Sequence, residues 1–261
     1  MEPPIKLTLQ IISYDASKLH GLISNEVASL PLHYNIKDET LLLREKGKSP
    51  LQALIKKNEH QLIKIIRSAI KGKTKAGQHI NCVFIEGFNF LKESDFNRYI
   101  RVDRRKGQLT ITGSDSETGN IHKIYADGSY ACQTKQSGYG GFIETPDGTQ
   151  KIFSHSFETG SSNLMELLAV TEGLRQLLPF EKLQVNTDSR FVIRGLAQWC
   201  HFWQHNNWQT AYGREVKYAE HWRQAFDLCQ NKFIEFKWIK GHSGDQNQDF
   251  CHQLAKKSTT R

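Results

Sequence analysis

A β-strand that carries a carboxylate in its middle narrows what this chain can fold into. Lys123-Ile124-Tyr125-Ala126-Asp127-Gly128-Ser129-Tyr130 leads through apolar residues to Asp127, then to a glycine and a small hydroxyl residue. The run reads as a strand whose backbone can approach a ligand closely just past the acid. A carboxylate buried on a strand is costly unless something cationic sits against it.

Two more acids follow in matching settings. Tyr139–Glu144 and Lys151–Phe157 read as strands joined by the turn Thr145-Pro146-Asp147-Gly148. Ser161, Ser162 and Asn163 supply capping chemistry for an amphipathic helix running to about Leu178, with Glu166 just past its first turn. Leu183–Thr187 reads as a strand ending at Asp188, with a helix after it, and ligands of α/β sheets gather at such strand ends. Each acid alone has a plain reading: an Asp-Gly-Ser turn, a surface glutamate, a Thr-Asp-Ser helix cap. As an ordered set they form the donor set of a magnesium site. Two ions about 4 Å apart stabilise the attacking and leaving oxygens of phosphodiester cleavage. Magnesium prefers carboxylate oxygens and keeps waters, so a few acids suffice. Without metal the acids repel one another and their pKa values rise.

With these residues in place, residues 121–258 resemble type 1 ribonuclease H. The stretches that carry the resemblance are Tyr125-Ala126-Asp127-Gly128-Ser129, Asn163-Leu164-Met165-Glu166-Leu167, Thr187-Asp188-Ser189 and Trp238-Ile239-Lys240-Gly241-His242-Ser243-Gly244. Between them Gln198-Trp199-Cys200-His201-Phe202-Trp203 and Asn207-Trp208 are similar to the family's tryptophan-rich helix and handle. The resemblance implies an α/β ribonuclease H-like fold, a five-stranded mixed sheet flanked by helices. It implies an endonuclease that cuts the RNA strand of RNA–DNA hybrids with two Mg²⁺ ions, leaving 5′-phosphomonoesters. Asp127, Glu166 and Asp188 match three of the family's four metal-binding acids, and His242 matches a loop histidine that assists proton transfer or product release. By the same resemblance, Gly128, Ser129 and Asn163 contact the RNA strand, Ser161 and Ser162 serve a phosphate pocket, and Trp199, Trp203 or Trp208 pack against sugars. For at least two of the tryptophans, core packing of the handle is the preferred reading.

The fourth acid is where the chain departs from the family. An ungapped alignment through Cys251-His252-Gln253-Leu254-Ala255 puts His252 at that position, with Asp249 one helical turn earlier as the alternative ligand. Imidazole is a poorer partner for magnesium than for softer ions, so the substitution predicts a preference for Mn²⁺. It also leaves two alternatives open: a catalytically weak or inactive hybrid- or duplex-binding module, and a ribonuclease H-like nuclease acting on a different duplex.

Residues 1–112 read as a small basic α+β domain, and the apolar-free run 113–120 as a linker before a catalytic domain over 121–261. Strand signals cover 5–14, Leu30–Ile36, Thr40–Arg44, His79–Phe88 and Gln108–Thr112. Ser49 and Pro50 open an amphipathic helix with Lys56, Lys57, Lys64, Arg67 and Lys71 on its outer side. The net charge of +8 and this basic face point to a polyanionic partner or to a solvated surface, and to an extra nucleic-acid or protein contact through the first domain. The five cysteines are scattered without Cys-x-x-Cys spacing, which argues against a disulfide framework. No run is long and apolar enough for a membrane span. The expectation is a cytoplasmic monomer.

Overall fold

The computed structural model describes residues 4–44, 49–85, 90–113 and 121–259. They divide into two compact units, one of Asn89–His201 with Lys217–Arg261, the other of Glu2–Phe88 with Phe202–Val216.

The second of these is built on an antiparallel sheet. Strands β1 (Ile5–Tyr14), β2 (Lys18–Ser24), β3 (Ser29–Asn35) and β4 (Thr40–Leu43) form a meander, and β5 (His79–Phe84) pairs with the free side of β1. Period-2 alternation puts Leu7, Leu9 and Ile11 on the buried face with polar residues between them. Helices α1 (Pro50–Lys57) and α2 (Glu59–Lys71) supply Leu51, Ile55, Leu62, Ile66 and Ala69 to the same core. Ser49 caps α1 by accepting from the Gln52 N–H at 3.1 Å. The sequence predicts one helix here, and the structure has two. Buried Asn58 ends the first, its side-chain amide donating back to the Leu54 carbonyl at 3.0 Å, a local bond that competes with helix continuation.

The expected handle belongs to this unit. The Asn81 N–H donates to the Ala211 carbonyl at 2.8 Å, and the Asn81 amide reaches Asn206 at 3.2 Å. Ala211 and Tyr212 pack against the unit's core.

The other unit carries a seven-stranded mixed sheet in the order β10-β9-β8-β11-β12-β6-β7. Its strands are β6 (Tyr99–Asp103), β7 (Gln108–Thr112), β8 (His122–Tyr130), β9 (Ser137–Glu144), β10 (Gln150–Phe157), β11 (Lys182–Thr187) and β12 (Phe233–Trp238). β8, β11 and β12 are mutually parallel, and the other pairings are antiparallel. Helix α3 (Ser162–Gln176) packs on β8 and β9, as does α7 (Gln246–Ser258). Between β11 and β12 come α4 (Arg190–Arg194), a π-helical stretch at Gly195–Trp199, α5 (Cys200–Trp203) and α6 (Ala219–Leu228).

The expected five-stranded mixed sheet is therefore present with two strands added. The domain boundary expected at 112 does not match this arrangement, because β6 and β7 come from upstream of it. β6 covers the open edge of β12, burying Ile100 and Val102. Arg101 meets buried Glu235 at 2.6 Å, and Gln184 satisfies the other oxygen at 2.8 Å. Of the expected linker, residues 114–120 lie outside the described residues, as do 86–88 of the strand expected to end at Phe88. All five cysteines are free, and among the described residues no helix is long and apolar enough to cross a membrane.

Candidate active site

Strand geometry and one close backbone approach assemble the acids. Successive residues of β8 point to opposite faces of the sheet, so Asp127 faces one way and Gly128 the other. On the Asp127 face lies α7, whose Leu254 sits against Gly140, the residue paired with Asp127. On the Gly128 face lies α3, so close that a methyl at Gly128 would overlap the backbone of Met165 and Glu166. Hence α3 delivers Glu166, just past its first turn, beside β8. On the neighbouring strand Asn186 is level with Tyr125, so Asp188 follows on level with Asp127.

Asp127 is 5% exposed. One carboxylate oxygen accepts from the Gly128 N–H at 2.7 Å, and the other meets Nδ1 of His252 at 3.0 Å. Burial pushes its carboxyl above the usual range, against the pull of His252 and Gly128, and the charge of Glu166 adds to the rise. Glu166 is raised by burial and then by Asp188, while the hydroxyls of Ser189 and Ser162 donate to its two oxygens. Asp188 is lifted from 3.8 to about 6, first by burial and then by the charge of Asp127. The three acids thus work against one another's ionisation.

Two histidines complete the cluster. The loop after β12 crosses Asp188 so tightly that a Cβ at Gly241 would lie 2.8 Å from its Oδ2. His242 follows in the left-handed region (φ 55°), its ring 5.3 Å from that of His252. The Trp238 indole donates to the Asp188 carbonyl at 2.8 Å, and Arg190 stacks on Trp238 at 4.0 Å, which fixes the end of β11. The structure therefore gathers Asp127, Glu166, Asp188, His242 and His252. Asp249 is half-buried on the first turn of α7, whereas His252, one turn on, touches Asp127 at 3.0 Å.

The expected substrate contacts divide. Gly128 and half-buried Ser129 lie on β8 beside the acids, and Asn163 is exposed on the first turn of α3. Ser162 already serves Glu166. Ser161 caps α3 by accepting from the Leu164 N–H at 3.3 Å, and its hydroxyl meets that of Tyr218 at 2.7 Å. Trp199 packs edge-on to Phe191, and Trp203 and Trp208 lie 6.5 Å apart in the other unit, all three half-buried. Trp199 is therefore assigned to a different unit from Trp203 and Trp208.

Sequence reasoning gave no role to Tyr218 or Ser189. Tyr218 opposes burial by hydrogen bonds to Lys217 and Ser161, which hold its hydroxyl below the ordinary tyrosine range. Its position in a left-handed turn (φ 64°) before α6 gives no sequence signal. Ser189 was legible as a helix cap, accepting from the Val192 N–H at 3.1 Å, but not as a donor to Glu166.

The donor set fits hard divalent cations. Buried oxygens disfavoured as anions by burial and by each other are what a cation relieves, and magnesium needs only one or two carboxylates. Among the described residues no group of three or more His, Cys, Asp or Glu converges to enclose a single ion.

The Asp188 shift predicts a stability effect in metal-free protein. A carboxyl whose folded pKa is raised contributes stability that is fully present below the unfolded value of 3.8 and is lost as pH rises through about 6. In EDTA at pH 8, Asp188→Asn is expected to melt above wild type, with the gap closing toward pH 4. A shift of about 2 units corresponds to roughly 3 kcal/mol, reduced by solvent screening to about 1 kcal/mol, or a few degrees. Equal melting temperatures at pH 8 would refute it.

The sequence model of the RNase H family matches residues 120–260. The chain is 35% identical over 146 residues to a ribonuclease H of Idiomarina loihiensis, covering 56% of this chain and 92% of the relative. It is 37% identical over 142 residues to a ribonuclease H of Zymomonas mobilis, covering 54% and 90%. Among solved structures it is similar to LC9-RNase H1, a type 1 RNase H with the type 2 active-site motif. That likeness has 24% identity and a TM-score of 0.48, covering 56% of this chain and 75% of the other.

Proposed function

Because this chain belongs to the RNase H family, we propose that it hydrolyses the RNA strand of RNA–DNA hybrids with divalent metal ions held by Asp127, Glu166, Asp188 and His252. The single observation that supports this reading is the trio of acids from β8, α3 and the end of β11, Asp127 buried and Glu166 and Asp188 half-buried, each with its carboxyl raised and each affected by the charge of another of the three. A module that only bound duplexes would not need them.

When bound, the ions would lower the pKa of the attacking water and neutralise charge on the phosphate oxygens. This chain's own residues do the holding and orienting. The Gly128 N–H and His252 fix the Asp127 carboxylate in one rotamer, and Ser162 and Ser189 do the same for Glu166. With Nδ1 directed at Asp127, His252 has its Nε2 free to act as ligand, the usual arrangement of a carboxylate-oriented histidine. In this reading His242, on the loop that crosses Asp188, moves a proton at the leaving oxygen. The Gly128 and Ser129 backbone contacts RNA 2′-hydroxyls, which separates RNA from DNA.

One gel tests the reading: labelled hybrid, double-stranded RNA and double-stranded DNA, each with Mg²⁺, Mn²⁺ or EDTA. Cleavage confined to the RNA strand of the hybrid and abolished by EDTA is expected. Cleavage that survives EDTA, or that prefers another duplex, overturns it.

The imidazole at the fourth position carries a second expectation. His252→Asp restores a carboxylate, so the ratio of Mn²⁺-supported to Mg²⁺-supported kcat is expected to fall by about tenfold. Equal ratios in the two proteins would remove His252 from the metal's ligands.

A further inference from the structure

The unit of Glu2–Phe88 with Phe202–Val216 carries a file of cations that the active site does not use. At about 100° per residue, His60, Lys64, Arg67 and Lys71 of α2 fall within about 60° of arc, opposite Leu62, Ile66 and Ala69. The structure agrees, with those four exposed and the opposite face buried in the core. Lys73 and Lys75 continue the series just past the helix end, and both are exposed. Over residues 56–75 there are seven Lys or Arg against one acid, Glu59.

A basic helix face is most often just solvated. The spacing here is more particular than that reading requires. From His60 to Lys71 the file spans about 16 Å of helix, the axial length of about five phosphates of one duplex strand. Arg67 pairs with Glu39 at 2.9 Å, and both side chains are more than half exposed. Such a pair contributes little and yields readily to a phosphate. The same folded unit holds Phe202–Val216, a segment from within the family match, bonded through Asn81 to Ala211 and Asn206.

We propose that the α2 file of His60, Lys64, Arg67 and Lys71 is a second nucleic-acid site, which grips the phosphate backbone of a duplex. It reads no sequence and forms no bond. Its contribution is counter-ion release, so it acts on affinity and on salt dependence. It deepens the hydrolase reading by giving the duplex a second hold, but it does not depend on turnover.

The test is duplex binding by full-length protein in EDTA, followed by fluorescence anisotropy across a salt series. Wild type is compared with Lys64→Gln/Arg67→Gln/Lys71→Gln and with a control triple, Lys106→Gln/Lys151→Gln/Lys182→Gln. The controls remove the same charge from exposed positions elsewhere. Losing three phosphate contacts is expected to flatten the slope of log K against log salt by about 2 to 3, and to weaken binding at low salt at least tenfold. The control triple is expected to leave the slope within about 1 of wild type. At saturating hybrid and metal, kcat of the α2 variant stays at the wild-type value while KM rises.

Unchanged slopes, or equal flattening by the control triple, overturn the proposal. So does loss of binding to anionic phosphatidylserine vesicles with duplex binding intact, which would assign the file to a membrane surface. Because binding is read in EDTA, a flattened slope with no hybrid cleavage on the gel would uphold this site and reject the hydrolase reading. The opposite result would do the reverse.

Discussion

Asp127→Asn is expected to lower kcat/KM on an RNA–DNA hybrid by about 10³-fold or more, with binding of the hybrid in EDTA retained. Metal stabilisation of a phosphoryl transition state contributes several kcal/mol, and each 1.36 kcal/mol is a factor of ten in rate. Asp127 is the carboxylate that the others surround: it faces α7, touches His252 and couples to Glu166 and Asp188. Asparagine keeps the size of the side chain and one oxygen, which can accept from the Gly128 N–H while the amide group takes the place of the oxygen that meets His252, so the fold should survive. Since burial already disfavours the anion, the metal-free variant should melt no lower than wild type at pH 8. A variant that melts like wild type and still cleaves at more than about a tenth of its rate would detach Asp127 from the chemistry. A variant that fails to bind hybrid in EDTA would show that the residue acts in substrate binding instead.

The candidate site was legible in the chain because it rests on short-range signals. Asp127 interrupts an apolar strand, Glu166 follows a run of capping residues, and Asp188 closes a strand before a helix. Each signal spans fewer than about ten residues, within reach of strand and helix periodicity. Elements set by distant pairing were not legible. β6 reads as nothing in particular until Arg101 meets Glu235, a partner 134 residues away. Its apolar residues Ile100 and Val102 are too few to announce a strand, and what fixes them is the open edge of β12. The handle presents the same difficulty. Tryptophans and polar residues between 202 and 216 gave no sign that Ala211 and Tyr212 pack with a core built from residues 7–84. The helix break at Asn58 lay between these cases, since asparagine is a known competitor for backbone carbonyls but is tolerated on many helices. At the site itself, alignment brought His252 to the fourth position, whereas its hydrogen bond to Asp127 needed coordinates.

Gly128→Ala should be among the most damaging single methyls in the unit that carries the acids. An added Cβ would lie 2.6 Å from the Met165 carbonyl carbon and 2.7 Å from its Cβ, and nearer still to the Glu166 nitrogen. Two of these are backbone atoms of α3, which cannot rotate away as a flexible side chain would. Relief requires α3 and β8 to separate, and overpacking of this kind costs about 3 kcal/mol or more, a fall of about 10 °C in Tm at this size. Gly148→Ala is the natural comparison. Nothing lies within 4 Å of its added methyl, and only its positive φ of 84° opposes the change, at about 1 kcal/mol. The large expected difference between the two variants therefore comes from packing, since Gly128 has an ordinary backbone conformation. The rate must respond as well, because the atom struck belongs to Glu166 itself. Moving that residue's backbone pulls its carboxylate away from Ser189 and from the other two acids. If the fold absorbs the strain by shifting α3, kcat falls with little change in KM, and if it does not, the protein melts early. Wild-type values of both Tm and kcat for Gly128→Ala would mean that β8 and α3 are not packed as described, and the route by which Glu166 reaches Asp127 would have to be abandoned.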